Sequence, residues 1–112
     1  PAAGGPFDLS TGRLVADLEL DDAWRVEPDT DGVTRTRLSA TDGAATVLWQ
    51  EGEWEWLQVF ITRTYPTNAG PVTAIAVEPM TAPADALVSG QGLRWLAPGE
   101  SWSGAWGIAR SA

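Results

Sequence analysis

The chain has 112 residues, and its 44% hydrophobic and 20% charged content is that of one ordinary globular domain rather than of a disordered segment. Its formal net charge of −8 opposes binding to nucleic acid or to an anionic membrane, because repulsion acts at every approach and no basic cluster offsets it. With neither cysteine nor histidine, disulfides, thiolate chemistry and the common zinc and copper ligand sets are excluded, and we expect no metal and no cofactor.

The first half of the chain predicts short strands joined by tight turns. Residues 14–20 alternate between apolar and polar side chains, which predicts a half-buried strand. The pairs Asp31-Gly32 and Asp42-Gly43 each predict a tight hairpin, the second between strand-like residues 33–40 and 44–50. Gly52 marks a third turn.

The second half continues the same pattern. Residues 54–63 form the strongest predicted strand, with both faces covered, and residues 102–110 a last strand with Trp102, Trp106 and Ile108 on one face. Residues 65–71 predict a loop, and residues 81–90, which include Pro83, predict at most one helical turn. The fold class predicted is therefore all-β: residues 1–112 form a single unit, an antiparallel β-sandwich portion with helix limited to a turn or two.

One carboxylate stands out from this pattern. Residues 74–77 are an apolar run of the kind found in buried strands, and Pro79 is expected to end it, so that Glu78 lies where a core strand meets a loop. A carboxylate held rigidly there and partly desolvated is a better general base near neutral pH. The local pattern fits a solvated residue at the rim of a sheet as well.

Seven tryptophans in an acidic, β-rich chain also suggest carbohydrate binding, since an indole face stacks on the C–H face of a pyranose while carboxylates accept hydrogen bonds from its hydroxyls. Core packing accounts for Trp56, Trp102 and Trp106, which lie in predicted alternating strands. Trp54, beside the turn at Gly52, and Trp24, just after two aspartates, are the candidates for lining a sugar site.

Two long segments resemble a known family. The runs AVEPMTAPADAL (76–87) and GLRWLAPGESWSGAWGI (92–108) resemble the C-terminal segment of the aldose 1-epimerases, the galactose mutarotase-like family. Weaker similarity extends through WLQVFIT (56–62), LDDAW (20–24) and FDLSTGR (7–13), so that the resemblance covers nearly the whole chain.

The resemblance implies roles for individual residues. Glu78 matches the family's catalytic base, which removes the proton from the anomeric hydroxyl of an aldohexose, and Asp21 matches the aspartate that accepts hydrogen bonds from ring hydroxyls. Asp22 stands where many members have a histidine. The family's general acid is also a histidine, which this chain lacks.

The chain is therefore expected to be the C-terminal portion of a larger mutarotase-like β-sandwich, with the acid supplied by an upstream portion, either missing or present as a separate chain. The monosaccharide substrate and that remainder are the expected partners, and self-association through an uncovered face is a further possibility. No apolar run approaches the roughly 20 residues of a membrane helix, so a soluble chain is expected, and the cytoplasm is the default compartment. A non-catalytic carbohydrate-binding module is the alternative function, in which the same groups hold a sugar without moving a proton.

Overall fold

The computed structural model describes residues 7–111, which form two antiparallel three-stranded sheets. The strands are β1 (Asp21–Arg25), β2 (Val33–Ser39), β3 (Ala45–Glu51), β4 (Trp56–Tyr65), β5 (Val72–Met80) and β6 (Trp106–Ser111). One sheet has the order β1-β4-β5 and the other the order β2-β3-β6. Helix within this range is limited to a 3₁₀ turn at Val15–Asp17 and a single α-turn, α1 (Ala86–Ser89). The predicted all-β, sandwich-like class is confirmed.

The two Asp-Gly pairs have different outcomes. Asp42-Gly43 joins β2 and β3 in a hairpin, as predicted, and Gly43 has the positive φ of 89° that the turn needs. Asp31-Gly32 also makes a tight turn, in which the Gly32 amide donates to the carbonyl of Asp29. The hairpin predicted there is wrong, because this turn connects β1 to β2 and these strands belong to different sheets.

The strand predicted over residues 14–20 is also wrong. Its centre is the 3₁₀ turn, and three of its backbone carbonyls accept hydrogen bonds from one side chain. The Arg63 guanidinium donates to the carbonyls of Val15 at 3.0 Å, Ala16 at 3.3 Å and Leu18 at 2.5 Å. The predicted burial of apolar residues in this segment is confirmed for Leu18 and Leu20, which lie in the core.

Both strands near the end of the chain differ from their predicted bounds. β5 continues through Glu78 and Pro79 to Met80, so Pro79 does not end it. Because β5 lies at the edge of its sheet, one side of the strand makes no ladder hydrogen bonds and a proline is tolerated there. β6 begins only at Trp106, and Trp102 precedes it.

The core between the sheets is small. It consists of buried apolar side chains from the segment before β1 and from three strands: Leu18, Leu20, Trp24, Leu48, Leu57, Val59 and Ile61. The radius of gyration is 15.9 Å, above the value of about 13 Å for a compact domain of this length. Large apolar side chains of the strands, among them Phe60, Trp106 and Ile108, remain exposed outside this core.

Several tryptophans are among the apolar side chains that the core does not cover. The core position predicted for Trp106 is wrong, since 47% of its surface is exposed, and Trp56 and Trp102 are only half-buried. Trp24, which the sequence suggested as a site residue, is the tryptophan that is buried in the core. An alternating pattern predicts which residues share a face, whereas coverage of that face depends on the other sheet.

Candidate functional site

The face of the β1-β4-β5 sheet that points away from the core carries three polar side chains in a row. We call Asp21, Gln58 and Glu78 the polar row. Gln58 of β4 lies directly opposite Glu78 of β5, and it also lies opposite Ala23 of β1, one strand repeat from Asp21. Directly opposed residues have Cβ atoms about 4.5–5.5 Å apart. The polar row thus brings together side chains of residues that are far apart in the sequence.

A hydrogen bond joins the first two members of the row. The Gln58 side-chain amide donates to Oδ1 of Asp21 at 2.8 Å, across 37 positions in the sequence. This bond orients the Asp21 carboxylate and leaves its Oδ2 without a partner among the described residues. Asp22 accepts a hydrogen bond from the backbone amide of Asp21 at 3.1 Å.

The surroundings of the polar row are open and partly apolar. Phe60 of β4 lies opposite Asp21 on one side and Ala76 on the other, and 41% of its surface is exposed. Ala23 and Ala76 are small, so the side chains of the row stand clear of their neighbours. An exposed ring next to carboxylate and amide groups offers an apolar surface and hydrogen-bond acceptors within one patch.

Glu78 itself is exposed. The expectation that its carboxylate is partly desolvated at a strand end is not met within residues 7–111, because the residue lies inside β5 on the open face of the sheet. No described residue donates a hydrogen bond to it. Its carboxylate oxygens are therefore free to accept a proton or a hydrogen bond from a bound molecule.

Trp24 lies on the other side of the same sheet. Only 8% of its surface is exposed, and its indole N–H donates to the carbonyl of Phe7 at 2.8 Å. Neighbouring residues of a strand point to opposite faces, and Trp24 follows Ala23 of the open face. The structure does not bring Trp24 to the polar row.

Trp54 lies in the connection between β3 and β4, away from the polar row. Its ring lines an open cleft of about 380 Å³, together with Arg25 and Glu55, whose charged groups are 3.6 Å apart. It also packs edge-on against Trp102, with ring centroids 5.7 Å apart and an interplanar angle of 72°. Arg25 lies between the cleft and the polar row: it lines the cleft, and its side chain is on the same outer face of the sheet as the polar row.

Two glutamines were missed by the sequence analysis. Gln58 belongs to the polar row, and the available signal was its place between Trp56 and Phe60 on one face of the predicted strand. Gln50 is fully buried, and its side-chain amide donates to the carbonyls of Trp54 at 2.7 Å and Trp56 at 3.0 Å. It thereby fixes the start of β4, the strand that carries Gln58.

Comparison with known proteins adds no relative: no family model, curated protein or solved structure matches this chain. Within residues 7–111, no set of three or more acidic side chains is arranged to hold a metal ion. The same part of the chain contains no helix with the length and apolar character needed to cross a membrane.

Proposed function

We propose that this chain is the C-terminal portion of an aldose 1-epimerase-like enzyme, which interconverts the anomers of an aldohexose by acid/base ring opening. Glu78 is the general base and Asp21 binds ring hydroxyls. The observation that carries the proposal is the polar row, because it puts the two carboxylates suggested by the resemblance on one open face of one sheet. We propose the cytoplasm as the compartment.

The chemistry needs one base and one acid. Glu78 takes the proton from the anomeric hydroxyl while an acid gives a proton to the ring oxygen, so that the C1–O5 bond breaks and an open-chain aldehyde forms. Rotation about C1–C2 and closure on the other face of the carbonyl, with both proton transfers reversed, give the other anomer. Because this chain contains no histidine, the acid is a histidine of the upstream portion.

The geometry around the row supports sugar binding in particular. Asp21, oriented by Gln58, presents a free carboxylate oxygen to a hydroxyl, and exposed Phe60 presents a ring to the C–H face of a pyranose. The upstream portion supplies a wall over the polar row and excludes water from it.

A non-catalytic carbohydrate-binding module is the second candidate, and one observation favours it. The side chain of Glu78 is exposed, as in a residue that only accepts hydrogen bonds from a ligand. The two functions differ in whether a proton moves, and polarimetry separates them.

The test is Glu78→Gln in the complete enzyme, measured by polarimetry on freshly dissolved α-D-glucose and α-D-galactose. We expect the rate above the spontaneous background to fall by about 10² to 10⁴, which is the usual contribution of a positioned base. Glu53→Gln, at an exposed position outside the polar row, is the matched control and should keep the wild-type rate. The 112-residue chain alone should not exceed buffer.

Two results would change the assignment. If Glu78→Gln keeps the full rate of an active wild type, Glu78 is not the base. If the wild type is no faster than buffer but binds sugar, the binding-module function replaces the epimerase.

A further inference from the structure

The β6 strand has one free edge with a defined backbone pattern. On its paired side, the Glu51 amide donates to the Ala105 carbonyl at 3.1 Å, and the same register places Trp49 opposite Gly107. In an antiparallel ladder, alternate residues turn their N–H and C=O groups toward the same neighbour. The backbone groups of Trp106, Ile108 and Arg110 therefore point away from β3. No strand among the described residues pairs with them.

The side chains of the same residues also lack cover. Ile108 lies opposite Leu48 and Trp106 opposite Gln50, so they belong to the face of the sheet that points toward the core. Leu48 and Gln50 are buried beneath the other sheet, whereas 66% of Ile108 and 47% of Trp106 is exposed. The core thus ends before β6, and this margin of the sheet presents apolar side chains and unpaired backbone together.

We propose that a second copy of this chain pairs with β6 in antiparallel orientation, with Ile108 on the two-fold axis. In this register Ile108 opposes the partner's Ile108, and Trp106 opposes the partner's Arg110. All of these residues have outward backbone groups, so each opposed pair exchanges both of its backbone hydrogen bonds. The two three-stranded sheets then form one continuous sheet, and the interface is isologous.

The charge distribution favours the β6 edge over the other sheet edges for contact between two copies. The net charge of −8 opposes contact between copies in general, but residues 106–111 contain one arginine and no acid. The guanidinium of Arg110 lies across the strands from the partner's Trp106, where a cation–π contact is favourable. The remaining edges put like charges or a proline at the contact: β1 begins with two aspartates, β2 contains two arginines and β5 contains Pro79.

The oligomeric state of the 112-residue chain tests the proposal. In sedimentation from about 10 µM to about 1 mM, a range that suits a short interface, we expect a concentration-dependent shift toward twice the monomer mass of 11.9 kDa. Ile108→Pro removes an amide that points away from β3 and should weaken association by about tenfold or more without loss of β-structure. Leu87→Lys, at a side chain that is 90% exposed on α1, is the control and should associate like the wild type. A wild type that stays monomeric throughout overturns the proposal.

Cross-linking tests the register independently of the proline variant. The chain has no cysteine, and hydrogen-bonded antiparallel partners have Cα atoms about 5.5 Å apart, which a disulfide can span. We expect Ile108→Cys to form a covalent dimer under mild oxidation much faster than Leu87→Cys. Equal rates would show that collisions rather than a fixed register bring the copies together. Neither measurement depends on Glu78 or on sugar.

Discussion

The substitution Gln50→Glu should make the stability of this protein strongly dependent on pH. It keeps the shape of a fully buried side chain and replaces the amide that donates to the carbonyls of Trp54 and Trp56. An ionised carboxylate offers no donor to these carbonyls and would be repelled by them. The introduced carboxyl should therefore be protonated in the folded state at a pH where it is ionised in the unfolded state.

The magnitude follows from burial. A carboxyl in a dry site has its pKa raised by up to about 3–5 units, which keeps it protonated in the folded state at pH 7. The cost at pH 7 is then set by the roughly 2.7 units between the unfolded pKa of about 4.3 and pH 7, and at about 1.36 kcal/mol per unit it is roughly 3.7 kcal/mol. Loss of one of the two hydrogen bonds adds about 1–3 kcal/mol at any pH, because a protonated carboxyl has one donor where the amide has two. Because a domain has about 5–15 kcal/mol of stability in total and the core here is small, the variant should be largely unfolded at pH 7.

Urea unfolding at pH 4 and pH 7 provides the measurement. The pKa of the introduced carboxyl is higher in the folded state, so the variant is least affected below the unfolded value of about 4.3 and loses stability as the pH rises above it. Gln91→Glu, at an exposed position, is the control and should change the free energy of unfolding little at either pH. If Gln50→Glu has the same effect at both pH values, the site is not dry and the reasoning fails.

Two further predictions concern the second sheet and the turn before it. Gly107→Ala should destabilise the protein by about 1–3 kcal/mol in calorimetry, because the new Cβ would lie 2.5 Å from the Trp49 ring. Gly52→Ala is the control and should not destabilise the protein, because the atom nearest to its new Cβ is 3.8 Å away. Asp31 accepts hydrogen bonds from the Arg35 guanidinium and the Val33 amide, which lower the pKa of its carboxyl. Asp31→Asn should thus lower the stability of the protein at neutral pH and low salt. The difference in melting temperature between variant and wild type should shrink as salt is added and vanish as the pH falls through the lowered pKa of Asp31. A difference in thermal melts that stays constant with salt and pH would contradict this reasoning.

Local sequence signals predicted the parts of the fold that local interactions determine. The hairpin at Asp42-Gly43 and the alternation of Leu57, Val59 and Ile61 were confirmed, since each depends on neighbouring residues. The segment 14–20 was missed because its conformation depends on Arg63, whose guanidinium comes from far along the chain. Exposure of Trp106 was missed for the same kind of reason: it depends on where the other sheet ends.

The residues of the candidate site could be predicted from the family resemblance but not from local sequence patterns. Glu78 and Asp21 were suggested by the resemblance, and no local pattern distinguishes either from a solvated carboxylate. Their common face follows from the pairing of β4 with both β1 and β5, which periodicity alone does not determine. Gln58 was missed because its partner Asp21 is 37 positions away.

The order of strands in the two sheets also has a consequence for how the chain folds. Each sheet contains one pair of strands that are adjacent in the sequence, β2 with β3 and β4 with β5, and one strand that comes from far away. Adjacent pairs close short loops, whereas β1 and β6 reach their partners only after long stretches of chain have been ordered. The two hairpins can therefore form early and independently, and the strands that complete the sheets dock late. Asp21 belongs to a late strand and Glu78 to an early hairpin, so the polar row comes into existence only in the last steps of folding.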